Sequence, residues 1–78
     1  MIIYCFDIKS GNKKRFNTVK RRFYYELKRL GLSERFWSTK SVLYVQDDKA
    51  VLLDAFFSKF KEDLTLFKGE VILLERVY

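Results

Sequence analysis

Seven residues near the start, Ile2-Ile3-Tyr4-Cys5-Phe6-Asp7-Ile8, constrain the fold more than any other stretch. The run is apolar almost throughout, and its β-branched and aromatic side chains favour an extended strand. It is too short for a helix before the breaker Ser10-Gly11-Asn12. Apolar residues on both faces predict a strand covered on both sides, hence a central one. Asp7 falls where this strand leaves the core. Two roles are open to it. It is a turn-forming or helix-capping acid, or a carboxylate held at the end of a rigid strand for metal or substrate.

With 78 residues the chain has room for one small domain, 1–78. A core of that size is marginal, and small domains usually add a staple. Cys5 is the only cysteine and histidine is absent, so neither an intrachain disulfide nor a Cys/His zinc site is available. Self-association is the remaining staple, and the aromatic-rich composition suits it. No basic region precedes the apolar start, which is too short for a signal peptide or a membrane span. The expectation is a soluble cytoplasmic protein with no membrane partner.

The net charge of +6 is unevenly placed. Residues 1–40 hold eleven Lys and Arg against three acids, whereas 41–78 hold five against seven. That asymmetry predicts one basic face and a polyanionic partner. The alternative is a solvated surface that serves solubility.

A helix is predicted over 13–30. Phe16, Val19, Phe23, Leu27 and Leu30 recur at three and four residues, giving one apolar stripe. Asn12 is the expected N-cap and Gly31 the expected stop. Lys14, Arg21 and Lys28 are seven apart and lie opposite the stripe. Arg29 shares that outer face, and Arg15 and Arg22 flank it. Lys13, Lys14 and Arg15 crowd the helix start, where the dipole disfavours cations at a few tenths of a kcal/mol each. Such a cost is expected where function needs the charge.

Two strands, 33–37 and 41–45, are predicted next, joined through Ser38-Thr39-Lys40 as an antiparallel hairpin. Asp47 or Asp48 offers an N-cap for a second helix over 49–64, with Leu53, Phe56, Phe57, Phe60 and Leu64 buried. After Lys68-Gly69 a last strand is expected over 70–78. The order β-α-β-β-α-β predicts an α+β, ferredoxin-like domain. Its four-stranded antiparallel sheet has both helices on one face. Right-handed crossovers place the first and third strands at its centre.

Without histidine, the Ser-His-Asp, Cys-His and metal-histidine sites are excluded, and no phosphate-cradling glycine motif is present. Carboxylate-and-metal chemistry or simple binding is left. Asp7 is the candidate acid. One carboxylate makes a poor magnesium site, because that metal wants several oxygen ligands. Two copies of Asp7 across a dimer axis would improve it and could hold a metal that activates water against a phosphodiester.

A strand ending Phe6-Asp7-Ile8, a basic first helix stopping at Gly31, and Ser41-Val42-Leu43 opening the third strand resemble the CRISPR-associated adaptation protein family Cas-two. Length and element order match over nearly the whole chain. Thr39 stands where the family commonly has glutamine, and Leu43-Tyr44 where a Phe-Glu pair is usual. The resemblance implies a ferredoxin-like homodimer that helps to integrate foreign DNA as new spacers, docked with an integrase subunit. It implies Asp7 as a magnesium-associated catalytic acid of a metal-dependent endonuclease. It also implies duplex DNA or RNA held without sequence reading by Lys13, Lys14, Arg15, Arg21, Arg22, Lys28 and Arg29. The VapD toxins look like a variation on the same plan, so a toxin ribonuclease stands as an alternative. A small interaction module without catalysis is another.

Overall fold

The computed structural model describes residues 1–9, 11–32, 37–75 and 77–78, with the backbone alone for 37–39. The elements follow as β1 (Ile2–Ile8), α1 (Lys13–Arg29), β2 (Trp37–Thr39), β3 (Val42–Val45), α2 (Ala50–Ser58) and β4 (Leu64–Glu70). A short 3-10 turn, Asp47–Lys49, leads into α2. The architecture is α+β, an antiparallel sheet with two helices. The strand order is β2-β3-β1-β4. β1, β3 and β4 carry the regular pairing. β2 is a three-residue edge strand whose register on β3 shifts between Trp37 and Thr39.

β1 is central, as its apolar run predicts. It pairs with β3 from Ile2↔Val45 to Cys5↔Val42 and with β4 from Ile2↔Glu70 to Ile8↔Leu64. Alternate residues of a strand face opposite sides. Ile2, Tyr4 and Phe6 are buried under the helices, while Ile3 and Cys5 on the other face are half-buried. The expected two-sided cover is therefore complete on one side only, among the described residues.

Aromatic rings fill the covered side. Phe23 of α1 lies 5.1 Å from Phe6, 5.2 Å from Phe56 and 5.2 Å from Phe60, centroid to centroid. Phe57 closes on Tyr4 at 5.2 Å and on Phe6 at 5.5 Å. The phenylalanines of α2 are thus core, as their spacing predicts, and both helices pack on the same sheet face.

α1 forms where its pattern demands. The Asn12 side chain accepts from the Arg15 backbone N–H at 2.8 Å, a cap contributing about 1 kcal/mol. Gly31 ends the helix with φ 71°, a left-handed conformation that glycine adopts without a Cβ penalty. Phe23 and Leu27 are buried, Val19 and Leu30 pack half-buried against the core, and Phe16 is half-buried at its edge.

The second half departs from expectation. The strand predicted over 33–37 lies mostly outside the described residues; pairing is seen at Trp37–Thr39, so the strand includes Trp37 as expected and runs on through Ser38 and Thr39 of the expected connection. α2 stops at Ser58, not Leu64, because Leu64 is needed opposite Ile8 in the sheet. Neither Asp47 nor Asp48 caps a helix: Gln46 and Lys49 occupy the cap positions without a side-chain bond. Asp47 instead meets the Met1 ammonium at 2.9 Å. The last strand is Leu64–Glu70, not 70–78. Its partner β1 runs out at Ile2, and one bond, Val71 N–H to the Met1 carbonyl at 2.9 Å, extends the ladder. Beyond it Ile72, Leu73, Val77 and Tyr78 are exposed.

One polar link crosses the core's edge. The Tyr4 ring is buried, and its hydroxyl donates to Asp54 Oδ1 at 2.7 Å. Lys68 Nζ donates to Asp54 Oδ2 at 2.8 Å. Burial, then the Asp54 carboxylate, pushes the Tyr4 hydroxyl's pKa up, and the Lys68 bond holds the Asp54 carboxyl below its usual range. A depressed carboxyl stabilises the fold above its unfolded pKa, and that contribution disappears as pH falls through the lower folded value. Both side chains are almost half exposed, so screening limits the ion pair to about 1 kcal/mol or less. Tyr4→Phe is expected to cost about 1–2 kcal/mol. Lys68→Met should flatten the loss of stability below about pH 4. Thermal melts of the three proteins between pH 7 and pH 3 check both.

Candidate nucleic-acid interface

α1 turns its buried stripe to the sheet and leaves its opposite face in water. Lys14, Arg21 and Lys28 fall on that outer face, seven residues apart, and all three are exposed. At 1.5 Å per residue they form a row of about 21 Å, the length of about six base pairs of B-DNA. Lys13, Lys14, Arg21, Lys28 and Arg29 make no ion pair among the described residues. Arg29 lies over the Tyr25 ring at 5.8 Å. No acid occupies the first turn, so nothing there offsets Lys13 and Lys14.

Arg15 and Arg22 are differently placed. Arg15 Nη2 donates to Asp63 Oδ1 at 2.8 Å, tying the start of α1 to the loop before β4. Arg22 Nε donates to Glu26 Oε2 at 3.0 Å and lies over Phe60 at 5.5 Å. These two cations flank the row, and part of their charge is already answered.

Asp7 is exposed near the end of β1, opposite Thr65 of β4. It alternates with Phe6 and so belongs to the sheet face away from the helices. The outer face of α1 points the other way. Within the chain the acid and the basic row are not brought together. No three His, Cys, Asp or Glu side chains cluster as metal ligands among the described residues. Asp7 has no such cluster around it among the described residues, and no cleavage step follows from it alone.

The sheet face that carries Asp7 is apolar. Ile3, Cys5, Val42 and Tyr44 are half-buried there, and Phe67 is 69% exposed. The register sets Cys5 between Val42 and Phe67, and Ile3 beside Tyr44, so the patch is continuous.

A cleft of about 660 Å³ opens where β1 leaves the core. Phe6, Ile8, Phe16 and Tyr24 give it an apolar, aromatic lining, and Asp7, Lys20, Lys40 and Ser41 complete the rim. The Tyr24 hydroxyl donates to the Lys40 carbonyl at 3.0 Å, pinning the β2–β3 turn to α1. Burial raises the Tyr24 hydroxyl's pKa, with a hydrogen bond to Ser41 opposing the shift. Lys20 and Lys40 were not among the expected binding residues. The signal available for Lys20 is Phe16, Lys20 and Tyr24 at successive turns of one flank; Lys40 has none.

No protein-family model, curated protein or solved structure matches the chain. No helix among the described residues is long and apolar enough to cross a membrane.

Proposed function

We propose that the protein is a dimeric, sequence-independent nucleic-acid-binding subunit acting in CRISPR spacer acquisition beside an integrase subunit. The observation that carries the binding is the row Lys14, Arg21 and Lys28 on the solvent face of α1, with Lys13 and Arg29 beside it, none of them ion-paired among the described residues. Lys and Arg on one helix face neutralise phosphates and release counterions without reading bases. The sheet order and the helices on one face are compatible with a ferredoxin-like domain. The continuous apolar patch on the opposite sheet face supports a homodimer. A 78-residue chain gains from covering it.

Five unpaired cations used on phosphates give a slope of log affinity against log salt of about −4.5. Duplex affinity should then fall about 500-fold between 50 and 200 mM salt. Fluorescence anisotropy with two duplexes of unrelated sequence tests this, and sedimentation reports the mass. Binding that ignores salt, or a monomer at micromolar concentration, counts against the proposal.

A second reading is a magnesium-dependent nuclease, favoured by the position of Asp7 on the same sheet face as the apolar patch. A dimer formed through that face supplies two Asp7 carboxylates from one surface, which is the pairing magnesium needs. Asp7→Asn should abolish magnesium-dependent cleavage of RNA or DNA and leave duplex binding intact. Equal cleavage by both proteins assigns the activity elsewhere. Growth arrest on expression, lost in Asp7→Asn, would favour a VapD-like toxin ribonuclease over an adaptation subunit.

A further inference from the structure

The cleft at the end of β1 is not absorbed by the duplex-binding row. Its lining comes from three separate segments: Phe6 to Ile8, one flank of α1, and the turn at Lys40-Ser41. Two features define what it takes. The lining is aromatic and aliphatic, so it suits a flat apolar body. Two lysines, Lys20 and Lys40, belong to its lining, and neither makes an ion pair among the described residues. Lys20 Nζ rests over the Phe16 ring at 5.9 Å and can leave it for a stronger anionic partner. Asp7 is the one acid on the rim, and the lining keeps a net positive charge. A planar apolar group joined to an anion is the chemistry of a nucleotide.

We propose that this cleft takes one unpaired nucleotide of a nucleic-acid strand, its base against Phe16 and Tyr24 and its phosphate between Lys20 and Lys40. The volume, about 660 Å³, lies within the 300–1,000 Å³ of ordinary small-ligand pockets. Aromatic faces accept any base, so the site is tolerant of sequence, as the α1 row is. Lys20 and Lys13 share the flank of α1 beside that row, so a strand leaving a bound duplex reaches the cleft without crossing the protein. The hydrogen bond from Tyr24 to the Lys40 carbonyl holds the two walls in fixed relation before any ligand arrives.

The inference rests on the nucleic-acid reading, and the experiment separates the two. Anisotropy is measured on a blunt duplex, on the same duplex with a three-nucleotide overhang, on that overhang made abasic, and on a single-stranded oligonucleotide. The base-bearing overhang should bind about tenfold tighter than the abasic one, which has the same phosphates. Phe16→Leu should erase that difference and leave blunt-duplex affinity unchanged. Lys20→Gln with Lys40→Gln, both on exposed side chains, should weaken both overhangs toward the blunt duplex and leave the blunt duplex itself unchanged, and circular dichroism confirms that each variant is folded. Equal affinity for base-bearing and abasic overhangs, with blunt-duplex binding intact, overturns the cleft alone. Binding of the single strand without blunt-duplex binding supports the cleft and overturns the α1 row. Binding to none of the four overturns both.

Discussion

Replacing Arg21 and Lys28 together by glutamate is expected to weaken duplex binding by at least a hundredfold at about 100 mM salt. Two phosphate contacts disappear, and two like charges are set against the backbone. The salt slope should fall from about −4.5 to about −2.7, because each lost phosphate contact removes about 0.9. Neither side chain is buried or ion-paired among the described residues, so the melting temperature should stay nearly fixed. Arg15→Glu offers the contrast. It breaks the pair with Asp63, so its effect on binding comes mixed with a loss of stability. An Arg21/Lys28 variant that binds with wild-type affinity and slope would remove the basic row from the mechanism.

The second large effect is on the fold itself. Phe23→Ala should cost about 3–5 kcal/mol, from lost burial and the cavity left among Phe6, Phe56, Phe57 and Phe60. A domain of this length holds in total about 4–12 kcal/mol. The variant is therefore expected to be near or past its unfolding threshold at 37 °C. A melting temperature lower by about 15–30 °C is the corresponding readout. Phe23→Leu keeps most of the apolar volume and should cost less. Urea titration followed by circular dichroism measures both, and a Phe23→Ala protein melting within about 5 °C of wild type would mean that the aromatic cluster is not the centre of the core.

The first thirty-two residues were legible because local signals there agree with one another. The apolar run of β1, the Asn12 cap, the three-and-four spacing of α1 and the Gly31 stop all mark the same two elements. The second half misleads because tertiary pairing overrides pattern. Val71-Ile72-Leu73-Leu74 has the better strand composition, yet β1 pairs with Leu64–Glu70. Lys68-Gly69 reads as a loop, but β4 is an edge strand, where a lysine and a glycine are tolerated. Lys68 reaches Asp54 from that edge. Leu64 continues the helical spacing of Phe57 and Phe60, and only the register opposite Ile8 reveals it as strand. The outer cations of α1 were legible from their seven-residue spacing. The cleft was not, because a site assembled from residues 6–8, 16–24 and 40–41 has no contiguous motif.

The placing of β1 between β3 and β4 also governs when the chain can fold. β1 receives its longest partner only after residues 64–70 have been made. Until then one margin of β1 offers unpaired amides and carbonyls, an invitation to mispairing between nascent chains. Folding is thus dominated by closure of a loop of some fifty-five residues between Ile8 and Leu64, a high-contact-order step. The chain contains no proline, so no peptide-bond isomerisation adds a slow phase to it.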